Sequence, residues 1–239
     1  NFGSPENENN MGEFVECVQG IGEASKYLNF PVVSGNVSFY NQTKEVGIKP
    51  TPSIGGVGLI KDYKKMVTMD FKKIDNLVLV IGKTEGHIDQ SLFARSILDE
   101  KNGPPPEVNL FNEKNNGESL LDLINKNYIQ SAHDISLGGL ITAISKMCIQ
   151  GNKGIKLKKT NNFVNELEYL FSEDQGRYII EIKPEDLKEV INILDKNSVH
   201  YDELGIITDK EMIINQKTKL TIDELKSYYT NWLTNYMSA

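Results

Sequence analysis

The longest uninterrupted apolar run in the chain is Leu77-Val-Leu-Val-Ile81, and its five residues limit the kinds of element that the chain can form. A transmembrane helix needs about 20 apolar residues, so the run argues against a membrane protein and is typical of a buried strand. Apolar residues at helical spacing occur before and after it, at Met11–Leu28 and at Gly138–Ile149. This interleaving of strand and helix patterns predicts an α/β (α+β) fold.

Length, charge and cysteine content limit the class of protein further. The 239 residues suffice for one large domain or two smaller ones, and the formal charge of −7 without a basic tract argues against nucleic-acid binding. Cys17 and Cys148 provide neither a disulfide framework nor metal-ligand spacing, which indicates a reducing cytoplasm. Cys17 falls on the apolar side of the first helix, where we expect it to fill the core. The chain starts at Asn1 like the interior of a loop, and we expect a piece of a longer polypeptide.

Local patterns predict the other elements and a boundary between two modules. The charged residues 61–73 place that boundary near residue 72, and the glycine-rich segment Ile54–Ile60 fits a strand only against closely packed backbone. The predicted strands are Pro31–Val33, Leu77–Gly82, Ile155–Leu157, Tyr178–Ile182 and Leu204–Thr208. The further predicted helices are Asp89–Glu100, Leu120–Asn127, Pro184–Asp195 and a last helix that begins at a Thr221–Glu224 capping box and carries the apolar residues Leu225, Tyr228, Tyr229 and Trp232.

A first candidate site follows the predicted strand Pro31–Val33. Gly35 has no side chain, so backbone there can approach a ligand closely. Asn36 offers a carbonyl oxygen that suits Mg²⁺, and the Ser38 hydroxyl can bond a phosphate. A plain Gly-Asn turn accounts for the same residues, and chemistry alone favours the turn.

Two further clusters have a functional and a structural interpretation each. His133, Asp134 and Ser136 precede a helix that begins with two glycines, which suits an anion site; a helix cap with close packing is the favoured alternative. In Glu173-Asp-Gln-Gly-Arg177, Glu173 and Gln175 can bind a polar ligand, and Arg177 is one of two arginines in the chain. A surface turn with a structural ion pair explains this cluster equally well.

Four segments together resemble one family, the synthetase subunit of phosphoribosylformylglycinamidine synthase of purine biosynthesis. The resemblance covers nearly the whole chain. Its strongest parts are Asn1-Phe-Gly-Ser-Pro5, Pro31-Val-Val-Ser-Gly-Asn-Val-Ser-Phe-Tyr-Asn41, Pro50-Thr-Pro-Ser-Ile-Gly-Gly-Val-Gly-Leu-Ile60 and Ser131-Ala-His-Asp-Ile-Ser-Leu-Gly-Gly-Leu140. Four long motifs in family order are more specific than any single glycine pattern.

The resemblance implies an architecture and a reaction. The family subunit has two tandem A-then-B domain pairs; residues 1–72 resemble the later part of the second A domain, and residues 73–239 the second B domain. The family reaction converts formylglycinamide ribonucleotide, ATP and ammonia from glutamine into formylglycinamidine ribonucleotide, ADP and phosphate. It implies a cytoplasmic enzyme whose partners are a glutaminase subunit and a small bridging subunit.

The resemblance also assigns roles to residues of the first candidate site. In the family's Gly-Asn-Val-Ser motif the Gly meets ATP, the Asn binds Mg²⁺ and the Ser contacts substrate, so the matching residues are Gly35, Asn36 and Ser38. The family's catalytic histidine and most of its Mg²⁺ ligands lie in the part that this chain lacks, so no catalytic residue is expected here. The family often has Glu-Ser-Gln where this chain has Glu173-Asp174-Gln175. For that cluster and for His133 and Asp134, an auxiliary nucleotide site and a role in folding only both remain open.

Two alternatives to this ligase remain. Another ATP-using enzyme of the superfamily, such as aminoimidazole ribonucleotide synthetase or selenophosphate synthetase, is disfavoured by the Gly-Asn-Val-Ser-Phe-Tyr-Asn run. A non-catalytic scaffold that docks the partner subunits is the alternative of a different class.

Overall fold

The computed structural model describes residues 1–158, 164–215 and 218–238, and the chain divides into two compact units. Unit 1 is Asn1–Lys61 and unit 2 is Asp62–Ala239. Unit 1 contains α1 (Glu8–Tyr27) and a hairpin of β1 (Gln42–Thr43) and β2 (Val46–Gly47). The helices of unit 2 are α2 (Leu110–Asn125), α3 (Gly139–Gly151), α4 (Glu166–Phe171), α5 (Leu187–Lys196) and α6 (Ile222–Ser238). Its strands are β3 (Leu77–Ile81), β4 (Ile129–Asp134), β5 (Gly154–Leu157), β6 (Tyr178–Ile182), β7 (Tyr201–Thr208), β8 (Glu211–Ile214) and β9 (Thr218–Thr221).

The predicted first helix is present as α1, and Asn7 fixes its start. The Asn7 side chain accepts hydrogen bonds of 2.9 and 3.3 Å from two N–H groups of the first turn, which have no partner within the helix. Phe14 on α1 packs edge-to-face against Phe2 and Phe39, with ring centroids 5.2 and 5.1 Å apart. This aromatic cluster joins the helix to the start of the chain and to the first candidate site.

Three expectations for unit 1 are wrong. Pro31–Val33 is not a strand, and Val33 is 91% exposed, so α1 has no strand there to pack on. Ile54–Ile60 is not a strand either, and a Cβ placed at Gly58 would have no heavy atom within 4 Å. Both segments have the composition of strands, but the described residues of unit 1 offer no neighbouring strand to pair with them. Cys17 does not fill a core, because it is partly exposed and no residue of α1 is buried.

The described strands of unit 2 form one sheet in the order β4-β6-β3-β7-β5-β8-β9. The pairs are antiparallel except β5 with β8, which is parallel. Side chains of β3 alternate between the two faces: Val78 and Val80 join the core under α3 and α4, whereas Leu79 and Ile81 join the core under α2 and α5. Burial on both faces explains why β3 is the longest apolar run of the sequence.

Residues 62–72 belong to the second unit in the structure, so it begins earlier than the boundary predicted near residue 72. Phe71 is 1% exposed and lies in the core under α3. The N–H groups of Lys72 and Lys73 donate to the carboxylate of Glu181 on β6, at 2.8 and 3.1 Å. These contacts hold the charged segment against the sheet, which its composition did not reveal.

Glu181 is fully buried and binds two further groups. Asn76 Nδ2 and Ser131 Oγ each donate to its carboxylate at 2.7 Å. Ser131 lies on β4, a strand absent from the sequence-based expectations because its polar residues hide the strand pattern. A single side chain of β6 thus binds β4 and the segment that leads into β3.

Other elements can be compared with the expectations. The mixed helix and sheet content confirms the α/β (α+β) class, and the capping box is confirmed by hydrogen bonds from Glu224 N–H to Thr221 Oγ1 (3.2 Å) and from Thr221 N–H to Glu224 Oε2 (2.8 Å). Of the helix predicted at Asp89–Glu100 only residues 92–98 are helical, and within them Ala94–Leu98 is a π-helix that ends at Asp99 with φ of 53°. Within the described part of the chain, no helix is both long and apolar enough to cross a membrane.

Candidate functional site

The loop that contains Gly35, Asn36 and Ser38 lies in unit 1 and is open at its first two site residues. A Cβ placed at Gly35 would meet no heavy atom within 4 Å, and Asn36 is exposed. Ser38 is half-buried, and its carbonyl accepts hydrogen bonds from Phe2 N–H and Asn41 Nδ2, both at 3.0 Å. The loop is therefore fixed at Ser38 and accessible at Gly35 and Asn36.

The second and third clusters meet in unit 2, through Glu173. The Gly138 N–H, at the start of α3, donates to Glu173 Oε1 at 2.9 Å, and the Leu92 N–H donates to the same oxygen at 2.7 Å. Gly138 has φ of 86° and Gly139 has φ of 71°, a region that favours glycine. A Cβ at Gly139 would lie 2.7 Å from the Ser172 carbonyl oxygen, so the glycine permits close packing of α3 on this loop. The N-terminus of α3, which could have bound an anion, is therefore already occupied by the carboxylate of Glu173.

Arg177 and Asp174 form the buried part of this site. Arg177 is 1% exposed and donates to the Ser172 carbonyl at 2.7 Å and to Thr84 Oγ1 at 3.0 Å. Asp174 accepts three hydrogen bonds of 3.0 to 3.1 Å from the successive N–H groups of residues 85–87. Burial lowers the pKa of the Arg177 guanidinium, and the nearby Asp174 opposes that shift. The arrangement is a structural ion pair that orders the loop after β3.

His133 and Asp134 end β4 beside an open groove with a volume of about 810 Å³. His133 Nδ1 lies 2.9 Å from Asp134 Oδ1, and the His133 side chain is 11% exposed. Burial raises the pKa of Asp134, but hydrogen bonds from Ser136 and His133 outweigh it, so the pKa lies below its usual value. Tyr178 lies on the neighbouring strand β6, directly opposite Asp134 in the strand pairing, and it also lines the groove. Tyr178 could not be assigned to this surface from the sequence, because Asp134, its partner in the sheet, lies far from it along the chain.

The described residues do not form a metal site by themselves. In residues 1–158, 164–215 and 218–238, no three His, Cys, Asp or Glu side chains converge closely enough to hold a metal ion. The exposed amide oxygen of Asn36 is compatible with Mg²⁺ as one ligand, because Mg²⁺ prefers oxygen donors, but it would need others. Gln175 is exposed beside Glu173.

Comparison of the sequence with known proteins finds close relatives over the whole chain. It is 73% identical over 237 residues to the phosphoribosylformylglycinamidine synthase subunit PurL of Pelagibacter ubique, covering 99% of this chain and 32% of that protein. Against the subunit PurL of Bartonella bacilliformis the identity is 42%, again with 99% and 32% covered. The chain thus spans about a third of the length of these curated relatives. The matches confirm the resemblance that the sequence motifs indicate.

Solved structures support the same fold at low sequence identity. The structure of PurLQS from Thermotoga maritima has a TM-score of 0.64 and 15% identity, with 87% of this chain and 35% of that chain covered. Thermotoga maritima PurL complexed with ADP has a TM-score of 0.63 at 15% identity, with 87% and 34% covered.

Family models match both units. The model for the N-terminal domain of AIR synthase related protein matches residues 1–60. The model for the C-terminal domain matches residues 73–215, which is more than half of the chain. The chain therefore belongs to the AIR synthase related protein family.

Proposed function

We propose that this chain is part of the synthetase subunit of a phosphoribosylformylglycinamidine synthase, a ligase that uses ATP and ammonia from glutamine to convert formylglycinamide ribonucleotide into formylglycinamidine ribonucleotide. The observation that carries the proposal is the 73% identity to the Pelagibacter ubique subunit across 99% of the chain. Thermotoga maritima PurL has been solved in complexes with ATP and with FGAR, which supports the same ligands here. The partners proposed are a glutaminase subunit and a small bridging subunit, in the cytoplasm.

Within this function, the Asn36 loop forms one wall of the nucleotide site. Gly35 lets the phosphates of ATP approach the backbone, Asn36 supplies one oxygen to Mg²⁺, and Ser38 contacts the ribonucleotide. The exposure of Asn36 and the open space at Gly35 support these roles, and the bonds from Phe2 and Asn41 fix the position of Ser38. Bound Mg²⁺ would neutralise phosphate charge, while the loop contributes positioning.

The cluster in unit 2 has a folding role in this proposal. Glu173 Oε1 and both carboxylate oxygens of Asp174 already accept backbone hydrogen bonds, and Arg177 is buried among carbonyl and hydroxyl oxygens. These groups therefore hold the loop after β3 and the start of α3 in place. The proposal keeps residues 1–72 and 73–239 as the sequence ranges of the second A and second B domains, with residues 62–72 packed in the second unit, and assigns no catalytic residue to the chain.

A chimaera tests the function, because the Pelagibacter ubique relative can supply the other two-thirds of the subunit. The matched region of that protein is replaced by residues 1–239, and amidine formation is assayed with ammonia, ATP and formylglycinamide ribonucleotide. We expect activity that depends on all three. A folded chimaera without product would overturn the proposal.

Substitution of Asn36 in the chimaera distinguishes a loop that takes part in the reaction from a loop that serves only as a scaffold. Asn36→Ala should reduce turnover about tenfold to a hundredfold, because a charge-assisted contact in a buried site is worth about 1.5–3 kcal/mol. The matched control is Asn9→Ala, an exposed asparagine of α1. If both variants keep the parent's turnover, the loop is a scaffold and the Mg²⁺ role is wrong.

A further inference from the structure

We propose that Asn41 is a positioning residue that takes the hydrogen of the Ser38 hydroxyl, so that Ser38 accepts a hydrogen bond from the ribonucleotide and does not bind its phosphate group. The inference rests on the proposed function, because it specifies the kind of substrate group that Ser38 contacts. The residues that carry it all lie in unit 1.

Two backbone carbonyls hold the carboxamide of Asn41 in one orientation. Its Nδ2 atom donates to the carbonyl oxygens of Phe2 and Ser38, both at 3.0 Å. In the reversed orientation the amide oxygen would face these two oxygens with no hydrogen between them, and such a contact is repulsive because all three atoms are acceptors. The orientation of Nδ2 toward the carbonyls fixes the position of Oδ1 as well.

The Ser38 hydroxyl lies against this fixed carboxamide. Its Oγ atom is 3.1 Å from Asn41 Nδ2 and 3.3 Å from Asn41 Oδ1. Of these two atoms only Oδ1 can accept a hydrogen, so the hydroxyl hydrogen points at Oδ1. The Nδ2 group uses at most one of the two lone pairs of Oγ. Ser38 therefore has a lone pair left for a ligand, and the ligand group that it suits is a hydrogen-bond donor.

The backbone of the turn from Ser38 to Asn41 supports the positioning role. Tyr40 has φ of 59°, in the left-handed region, which a bulky residue adopts only where its surroundings hold it. Its N–H donates to the Gly3 carbonyl at 3.1 Å, and the next N–H along the chain donates to the Phe2 carbonyl at the same distance. The start of the chain thus holds the turn from one side, and the Asn41 side chain closes it.

The chemistry of the ribonucleotide then decides which of its groups can meet Ser38. A phosphate monoester is mostly doubly ionised at neutral pH and presents acceptor oxygens. To bind Ser38, it would have to draw the hydroxyl hydrogen away from Asn41 Oδ1. The ribose hydroxyls and the amide N–H groups of formylglycinamide ribonucleotide are donors, so they can bond Ser38 without that loss.

Steady-state kinetics of the chimaera with Asn41→Ala test the positioning role. We expect the KM for formylglycinamide ribonucleotide to rise about threefold to tenfold, as for the loss of one hydrogen bond between uncharged groups. The KM for ATP should change less than about twofold, because the contacts at Gly35 and Asn36 do not use the Ser38 hydroxyl. In a Ser38→Ala background, Asn41→Ala should raise the KM for the ribonucleotide little further, since Asn41 acts through that hydroxyl.

The matched control is Asn10→Ala, which removes another side-chain amide bond near the start of the chain, from Asn10 Nδ2 to the Ser4 carbonyl at 2.9 Å. An equal rise of both KM values, the same rise in the control, or an undiminished effect of Asn41→Ala without the Ser38 hydroxyl would overturn the positioning role. A parent chimaera that forms no product would overturn the proposed function and this inference with it, whereas those outcomes in an active parent overturn the inference alone.

The dephosphorylated nucleoside, formylglycinamide riboside, identifies the substrate group without any change to Asn41, so this measurement stands even where Asn41→Ala does not fold. Its inhibition constant as a competitor of the ribonucleotide is measured for the parent chimaera and for Ser38→Ala. We expect Ser38→Ala to raise this constant by the same factor, within about twofold, as the KM for the ribonucleotide, because the contact does not involve phosphate. If Ser38→Ala raises only the KM for the ribonucleotide, or raises neither value, the proposal is wrong.

Discussion

Arg177 Nη2 lies 3.8 Å from Asp174 Oδ2, and both side chains are almost completely buried. The carboxylate is shared between this guanidinium and three backbone N–H groups of the loop after β3. A buried ion pair contributes little when both partners are present, but removal of one leaves an uncompensated charge. The pair is therefore more sensitive to a single substitution than an exposed pair would be.

Replacement of Asp174 by alanine should destabilise unit 2 by about 3–5 kcal/mol, because Arg177 would stay buried without a counter-charge. Urea unfolding followed by circular dichroism measures the change in the free energy of unfolding. Asp122→Ala is the control, since Asp122 pairs with Lys126 at 2.6 Å on the surface of α2 and its side chain is 42% exposed; a change within about 1 kcal/mol is expected. Equal changes in the free energy of unfolding for the two variants would show that the buried pair is no more sensitive to substitution than the exposed pair.

Gly139→Ala should destabilise unit 2 by about 2–4 kcal/mol. Its φ of 71° disfavours alanine, and the new Cβ would approach the Ser172 carbonyl oxygen to 2.7 Å. Gly117→Ala, in the middle of α2, is the matched control, because the nearest atom to its new Cβ is Tyr178 Oη at 3.7 Å. That variant should gain about 0.5–1 kcal/mol from helix propensity. Thermal unfolding of both variants checks the opposite signs, and a shared sign would contradict the account.

The start of α6 should weaken in acid. Hydrogen bonds from the Thr221 N–H and hydroxyl lower the pKa of Glu224 below its ordinary 4.5. A carboxylate whose pKa is lower in the folded state stabilises that state at pH values above its ordinary pKa. This contribution is lost as the pH falls through the folded-state pKa. Helix content measured by circular dichroism should fall on acidification, and Glu224→Gln should reduce the change. Asp223→Asn removes the same charge from the same turn without removing the box, and an identical effect of the two would refute the assignment.

The 239-residue chain alone should bind Mg²⁺–ATP only weakly, with a dissociation constant larger than about 100 μM. Mg²⁺ keeps several waters and relies on more than one protein ligand, whereas the Asn36 loop supplies a single amide oxygen. Isothermal titration calorimetry measures the affinity, with Asn36→Ala as the matched variant. Micromolar binding that Asn36→Ala abolishes would show that the loop is a complete site.

The elements that could be predicted are those whose burial follows from their own residues. β3 is apolar on both faces and β6 departs from that pattern only at Glu181, so their patterns are sufficient to identify them. β4 could not be predicted because Ser131 is polar and owes its burial to Glu181, a contact between residues 50 positions apart. Pro31–Val33 has the opposite problem, since it looks like a strand but finds no pairing partner in unit 1.

The residues of the candidate site also divide into those that could be predicted from the sequence and those that could not. Gly35 and Asn36 could be identified from a local motif, because a ligand-binding loop is defined by consecutive residues. The contact between Glu173 and Gly138 joins two motifs 35 residues apart, and only the packing of α3 against the loop creates it. The choice between a ligand site and a structural ion pair therefore depended on geometry that no local pattern contains.

The buried carboxylate of Glu181 also sets an order of events during synthesis. The N–H group of Lys72 must wait for a partner 109 residues further along the chain. Until β6 has left the ribosome, the segment before β3 and the polar strand β4 lack the acceptor that they share. Since chains grow at about 5–20 residues per second, this segment stays without that acceptor for several seconds or longer. The sheet of unit 2 can close only after synthesis has passed Glu181 and β6 has left the ribosome.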